Sequence, residues 1–156
     1  MSDMGTLEHA VWIQAAPDTV WPVYVDPLRL PDWQTGSPVI EDVRGSGDVR
    51  GSTYISRRGP GAATTTVLEA DRPRRLVTET DAYLGLRFTV VSTLEALDGG
   101  TRLRLRVDTH WPRGLGLIGR LVELAVLSRR EAGKELDQLK LLVESQPSGP
   151  DGSASP

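Results

Sequence analysis

The chain has 156 residues, 38% hydrophobic and 25% charged, the composition of one ordinary globular domain long enough to bury a sizeable core. Eighteen basic against 21 acidic side chains leave a formal charge of -3, which argues against a nucleic-acid partner, since phosphate binding needs a concentrated basic surface. No Cys is present, which excludes disulfide and thiolate chemistry. No stretch reaches the roughly 20 apolar residues that span a bilayer and no basic start leads into an apolar run, so a cytoplasmic protein without a transmembrane segment is expected.

Thr6 to Ala15 alternates, with Leu7, His9, Val11 and Ile13 on one face, as a half-buried strand does. Pro17 then suits a first helical position and Asp18 the positive end of a helix dipole, with Val20, Trp21 and Tyr24 as the apolar face. A second brief helical turn is expected over Pro27 to Trp33. From Pro38 the period changes to two. Turn signals at Gly45–Gly51, Gly59–Gly61, Asp71–Pro73, Gly85 and Asp98–Gly100 divide six further strands, near 38–44, 49–58, 62–70, 74–82, 86–97 and 101–111. Short connections make them an antiparallel meander.

The last regular segment, Leu117 to Glu144, reads as one long helix. Its inward stripe runs Ile118, Leu121, Ala125, Ser128, Ala132, Leu136, Leu139, Val143, large at both ends and small in the middle. A helix that only closed a core would fill that centre with Leu or Ile, so either the facing sheet bulges up to meet Ala125, Ser128 and Ala132, or these three roof a cavity. The lead-in at 115–127 is apolar on most of its circumference, which suggests a homodimer contact, a peripheral lipid contact or burial beneath the glycine loop. Residues 145–156 lack any large apolar side chain and are expected to be a disordered tail to a single domain over 1–144.

This order of elements resembles the helix-grip fold of the START/Bet v 1-like (SRPBCC) superfamily, and within it the bacterial polyketide cyclase/dehydrase group. The resemblance rests on Ala16-Pro17-Asp18-Thr19-Val20-Trp21, Asp26-Pro27, Pro31-Asp32-Trp33, the turn Gly45–Gly51, Pro73-Arg74-Arg75-Leu76, Gly99-Gly100-Thr101-Arg102-Leu103 and Glu135-Leu136-Asp137-Gln138-Leu139-Lys140. It implies an α+β fold: a seven-stranded curved antiparallel sheet around a long C-terminal helix, with two short helices between strands one and two. It also implies an internal cavity for a hydrophobic, polyketide- or lipid-like small molecule. Cofactor-free cyclisation or dehydration is the enzymatic option; the alternative is a non-catalytic carrier or sensor of an apolar ligand. A structural domain that uses the sheet exterior is a third class, because fold alone does not choose function.

On that fold the alternation puts Phe88, Val90, Ser92 and Leu94, and Leu105, Val107, Thr109 and Trp111, on the concave wall, an apolar surface with a few hydroxyls. Thr65, Val67 and Glu69 share the parity that the resemblance places inward, and a carboxyl at Glu69 in an apolar pocket would serve as general acid or base. The competing expectation pairs Glu69 with a surface Arg. The resemblance sets Trp33 near the cavity mouth, in reach of ligand. Aromatase-type members are understood to use pocket aromatics and an Arg where this chain has Val67, Ser92 and Glu69 or Asp71, which puts ring-forming aromatase chemistry in doubt. His9 and His110 are the only histidines, and two ligands without a third make no metal site. The run Gly45-Ser46-Gly47-Asp48-Val49-Arg50-Gly51 lacks dinucleotide-loop spacing and context and reads as a hairpin turn. Neither metal nor cofactor is expected. Arg102, Arg104 and Arg106 form a solvated row able to pair with Glu8 or Glu95.

Overall fold

The chain runs through strand β1 (Met4–Ile13), helix α1 (Pro17–Val25), a 3-10 turn (Pro27–Arg29), helix α2 (Leu30–Trp33), then strands β2 (Val39–Arg44), β3 (Thr53–Arg58), β4 (Gly61–Asp71), β5 (Arg75–Asp81), β6 (Arg87–Leu97) and β7 (Gly100–His110), and ends in helix α3 (Arg129–Ser145). The computed structural model describes residues 4–58, 61–82, 85–110 and 129–146. All seven strands pair antiparallel in the order β1-β7-β6-β5-β4-β3-β2. The sheet curves around α3, which is the helix-grip arrangement.

Local chemistry explains the boundaries. Pro17 opens α1 and Asp18 occupies its first turn, while the Asp26 carboxylate accepts the Leu28 N–H at 3.0 Å and starts the 3-10 turn. Strand β3 begins at Thr53 rather than near 49, because Gly45, Gly47 and Gly51 all take positive φ and hold the preceding segment as a loop. Gly47 has no substitute there: a Cβ would meet the Val25 carbonyl oxygen and come within 2.8 Å of Pro27 Cδ. The loop is thereby packed onto the end of α1.

The core occupies one end of the concave face. Ile13, Val20, Trp21, Leu103 and Leu139 are at most 1% exposed, and Leu94, Leu136 and Val143 join them. Helix α3 is tied to the end of β1 by polar contacts. Lys140 Nζ donates to the Trp12 carbonyl at 2.9 Å, sits 5.2 Å from the centre of the Trp12 ring and pairs with Glu144 at 2.7 Å. Glu144 in turn accepts the Gln14 N–H at 2.7 Å. These contacts hold its carboxyl below the usual carboxylate range, the Lys140 hydrogen bond contributing most.

Register places Arg106 opposite Glu8 and Arg102 opposite Glu95 on the outer face, and Arg106 also pairs with Asp108 at 3.4 Å. The expected helix start at Leu117, the apolar lead-in at 115–127, and Trp111, Ala125 and Ser128 lie outside the described residues. The Ala132 side chain does too, although its backbone belongs to α3. No helix among the described residues is long and apolar enough to cross a membrane.

Candidate functional site

Beyond the core, the concave face forms a half-open cavity of about 1010 Å³. Its wall follows from strand alternation, with inward side chains lying in rows across the sheet. One row crosses Val67, Thr78, Val90, Val107 and Leu7 on five adjacent strands. The next crosses Tyr54, Thr65, Thr80 and Phe88. Toward the core lies the row Leu76, Ser92, Leu105. All of these line the cavity, with Tyr24, Val25, Leu30 and Trp33 from the short helices and Glu135 and Leu136 from α3.

Among the described residues the polar groups inside this apolar wall are mainly neutral hydroxyls, four of them in two pairs. Tyr24 Oη and Ser92 Oγ lie 2.6 Å apart, both side chains buried. Thr65 Oγ1 and Thr80 Oγ1 lie 2.8 Å apart on neighbouring strands. Burial pushes the Tyr24 phenol above its ordinary value; the Ser92 hydrogen bond opposes that shift, and the nearby Tyr54 and Glu135 reinforce it. Burial likewise raises Tyr54, against a hydrogen bond with Thr65. Both phenols stay protonated at neutral pH, so each has an O–H to donate as well as an oxygen that accepts.

Among the described lining residues charge is confined to Arg58 and Glu135 at the rim. Arg58, at the end of β3, donates from Nη2 to Gln34 Oε1 at 2.8 Å. Its Nη1 stands 3.9 Å from Glu135 Oε1, which accepts the Thr35 N–H at 3.3 Å. Trp33 stacks on Tyr24, with ring centroids 5.6 Å apart and planes at 25°. The Trp33 Nε1 and Thr35 Oγ1 atoms are buried without a hydrogen-bond partner. Among the described residues no group of three or more His, Asp or Glu side chains is arranged to hold a metal ion.

A model of the family of polyketide cyclases/dehydrases and lipid-transport proteins matches residues 4–144. The chain belongs to this family. It is also a START/Bet v 1-like domain by fold. A protein from Rhodobacter sphaeroides, 20% identical, superposes with a TM-score of 0.68 over 94% of this chain and 100% of its own. A Mesorhizobium loti protein, 16% identical, gives 0.70 over 90% and 97%. The norcoclaurine synthase of Thalictrum flavum, 17% identical, gives 0.68 over 93% and 89%. No curated protein matches the chain in sequence.

In this family member the cavity lining takes in Trp33, Thr65, Val67, Phe88, Val90, Ser92, Leu105 and Val107 of the residues singled out from the sequence. Thr109 is fully buried with its hydroxyl unpartnered, but it is not part of the lining. Leu94 belongs to the core instead.

Glu69 is corrected. A β-bulge between Val67 and Glu69 inserts one residue, Leu68, into β4, and one extra residue reverses the parity of everything after it. Ala70 thus turns inward against the core, whereas Glu69 stands exposed, paired with Arg75 at 3.2 Å. A carboxylate so placed has neither the desolvation nor the access that acid–base chemistry in the cavity needs.

The sequence reading missed Tyr24, Tyr54, Thr78, Thr80, Arg58 and Glu135. Tyr54, Ser56 and Arg58 carried a usable signal, an i, i+2, i+4 alternation leading into the Gly59 turn. Tyr24 carried none, because the rotation of a short helix over a sheet cannot be read from its own residues.

Proposed function

We propose that the protein binds one apolar small molecule, polyketide- or lipid-like and carrying at least one oxygen acceptor, inside this cavity. The observation that carries the reading is the set of neutral hydroxyls, Tyr24 with Ser92 and Thr65 with Thr80, in a wall otherwise built from side chains such as Phe88, Val90, Leu105 and Val107. Burying ~200 Å² of ligand surface there contributes about 5 kcal/mol before the costs of ordering. The hydroxyls then fix orientation by donating to a ligand carbonyl or hydroxyl. The family's description names both cyclase/dehydrase chemistry and lipid transport, and a norcoclaurine synthase of this fold was solved with dopamine and hydroxybenzaldehyde; both support occupancy by a small organic molecule.

Cyclisation or dehydration would need a proton acceptor against the ligand. Among the described residues the one carboxylate lining the cavity is Glu135, held at the rim, and the buried phenols keep their protons. The geometry therefore favours binding without turnover, as in a carrier or sensor. Titration with Nile red, an uncharged apolar dye, is expected to give saturable one-to-one binding with blue-shifted emission. A Val90→Trp substitution, placed in the middle of the wall between Thr78 and Val107, is expected to weaken it at least tenfold. Absence of saturable binding, or binding indifferent to this block, contradicts the reading.

A further inference from the structure

We propose that Arg58 is the anchor for a carboxylate on the ligand, so that the bound molecule is an apolar acid that also bears an oxygen at its far end. This rests on the reading that the cavity holds a small molecule. Among the described lining residues Arg58 is the one cation. A guanidinium offers five N–H donors in a planar fork suited to a carboxylate, yet among the described residues the hydrogen-bond partner of Arg58 is the neutral amide of Gln34, at 2.8 Å. Glu135 stands off at 3.9 Å, too far for a hydrogen bond, and its Oε1 atom is held by the Thr35 N–H. The rim thus presents a half-exposed guanidinium in a loose ion pair with a carboxylate that also accepts the Thr35 N–H. An incoming acid can form the short hydrogen bonds to the Arg58 fork that Glu135, at ion-pair distance only, does not make. A single negative charge fits better than the two of a phosphate monoester, because Glu135 already offsets part of the Arg58 charge and repels a dianion about twice as strongly.

The length of the ligand follows from β3. Arg58 and Tyr54 are four residues apart on the inward face of one strand, roughly 13 Å. Tyr54 lies opposite Thr65, and Thr65 opposite Thr80, so the hydroxyl row begins about that far along the strand from the backbone of Arg58. An acid whose second oxygen is about ten carbons away spans both, with the apolar body along Ala63 and Phe88.

The test is displacement of Nile red at pH 7.5 by 10-hydroxydecanoic acid and by its methyl ester, which differ in one charge. The acid is expected to displace the dye at a concentration at least tenfold lower than the ester. Arg58→Gln should remove most of that preference, and Arg58→Lys, which keeps the charge, should retain part of it. Equal displacement by acid and ester, failure of the acid to displace, or a preference that survives Arg58→Gln overturns the proposal while leaving the apolar-ligand reading intact. Failure of the wild-type protein to bind Nile red at all removes both.

Discussion

The buried pair of hydroxyls at Tyr24 and Ser92 can be weighed by a double-mutant cycle. The Tyr24→Phe change deletes one oxygen and keeps the ring, so the stack on Trp33 survives. It removes a 2.6 Å hydrogen bond and leaves the Ser92 hydroxyl, 1% exposed, with no other hydrogen bond among the described contacts. A net hydrogen bond of about 1 kcal/mol plus part of the cost of an orphaned buried hydroxyl gives a loss of about 1–2 kcal/mol, and Ser92→Ala should cost a similar amount for the mirror reason. The double variant leaves nothing orphaned, so it should lose little more than either single one, with a coupling energy on the order of 1 kcal/mol. Urea unfolding followed by circular dichroism reads this as a shift of midpoint at constant slope. In thermal melts each single variant should fall by roughly 3–6 °C. Strictly additive losses would refute the reasoning, because they would mean that each hydroxyl is satisfied independently of the other.

Glu69→Gln should leave Nile red affinity within twofold of the wild type and change stability by under ~0.5 kcal/mol, since it trims an exposed ion pair; a large loss of binding in the dye titration would restore the carboxylate to the site. Leu139→Ala, at a fully buried position on α3, should cost about 2–5 kcal/mol in urea unfolding, and a loss near zero would mean that the helix does not grip the sheet there. At alkaline pH, Tyr24 and Tyr54 hold their protons in the fold but release them near pH 10 once unfolded. Their contribution to stability is therefore complete below about pH 10 and declines as pH rises beyond it. Absorbance at 295 nm should show both phenolates emerging with unfolding rather than before it; free titration of all tyrosines in the folded protein would contradict their burial.

How much of this could be read from the sequence depended on whether the signal was local. On β7, Leu103, Leu105 and Val107 alternate without interruption, and their inward placement follows from period two alone. On β4 the same rule worked for Thr65 and Val67 and then failed two residues later, because a bulge is set by pairing with β5 and leaves no mark on the hydrophobic pattern. Arg58 sat beside a glycine turn and read as a strand end, although its parity with Tyr54 was visible. Tyr24 read correctly as apolar-face packing, but its hydroxyl's partner lies 68 residues away on β6, a contact only the assembled fold brings about. The cavity itself was first suggested by Ala125, Ser128 and Ala132, whose side chains lie outside the described residues; the wall that the structure describes opposite α3 leads to the same kind of interior by a separate route.

The central claim is that an apolar molecule enters the concave face between the sheet and α3. Methyl-labelled protein titrated with Nile red and followed by two-dimensional NMR tests it most directly. The largest shifts are expected on Val90, Leu105, Val107 and Leu136, which line the cavity, while the exposed Leu28, Val43 and Leu68 stay in place. Shifts concentrated on those exposed methyls, with the cavity methyls unmoved, would contradict it.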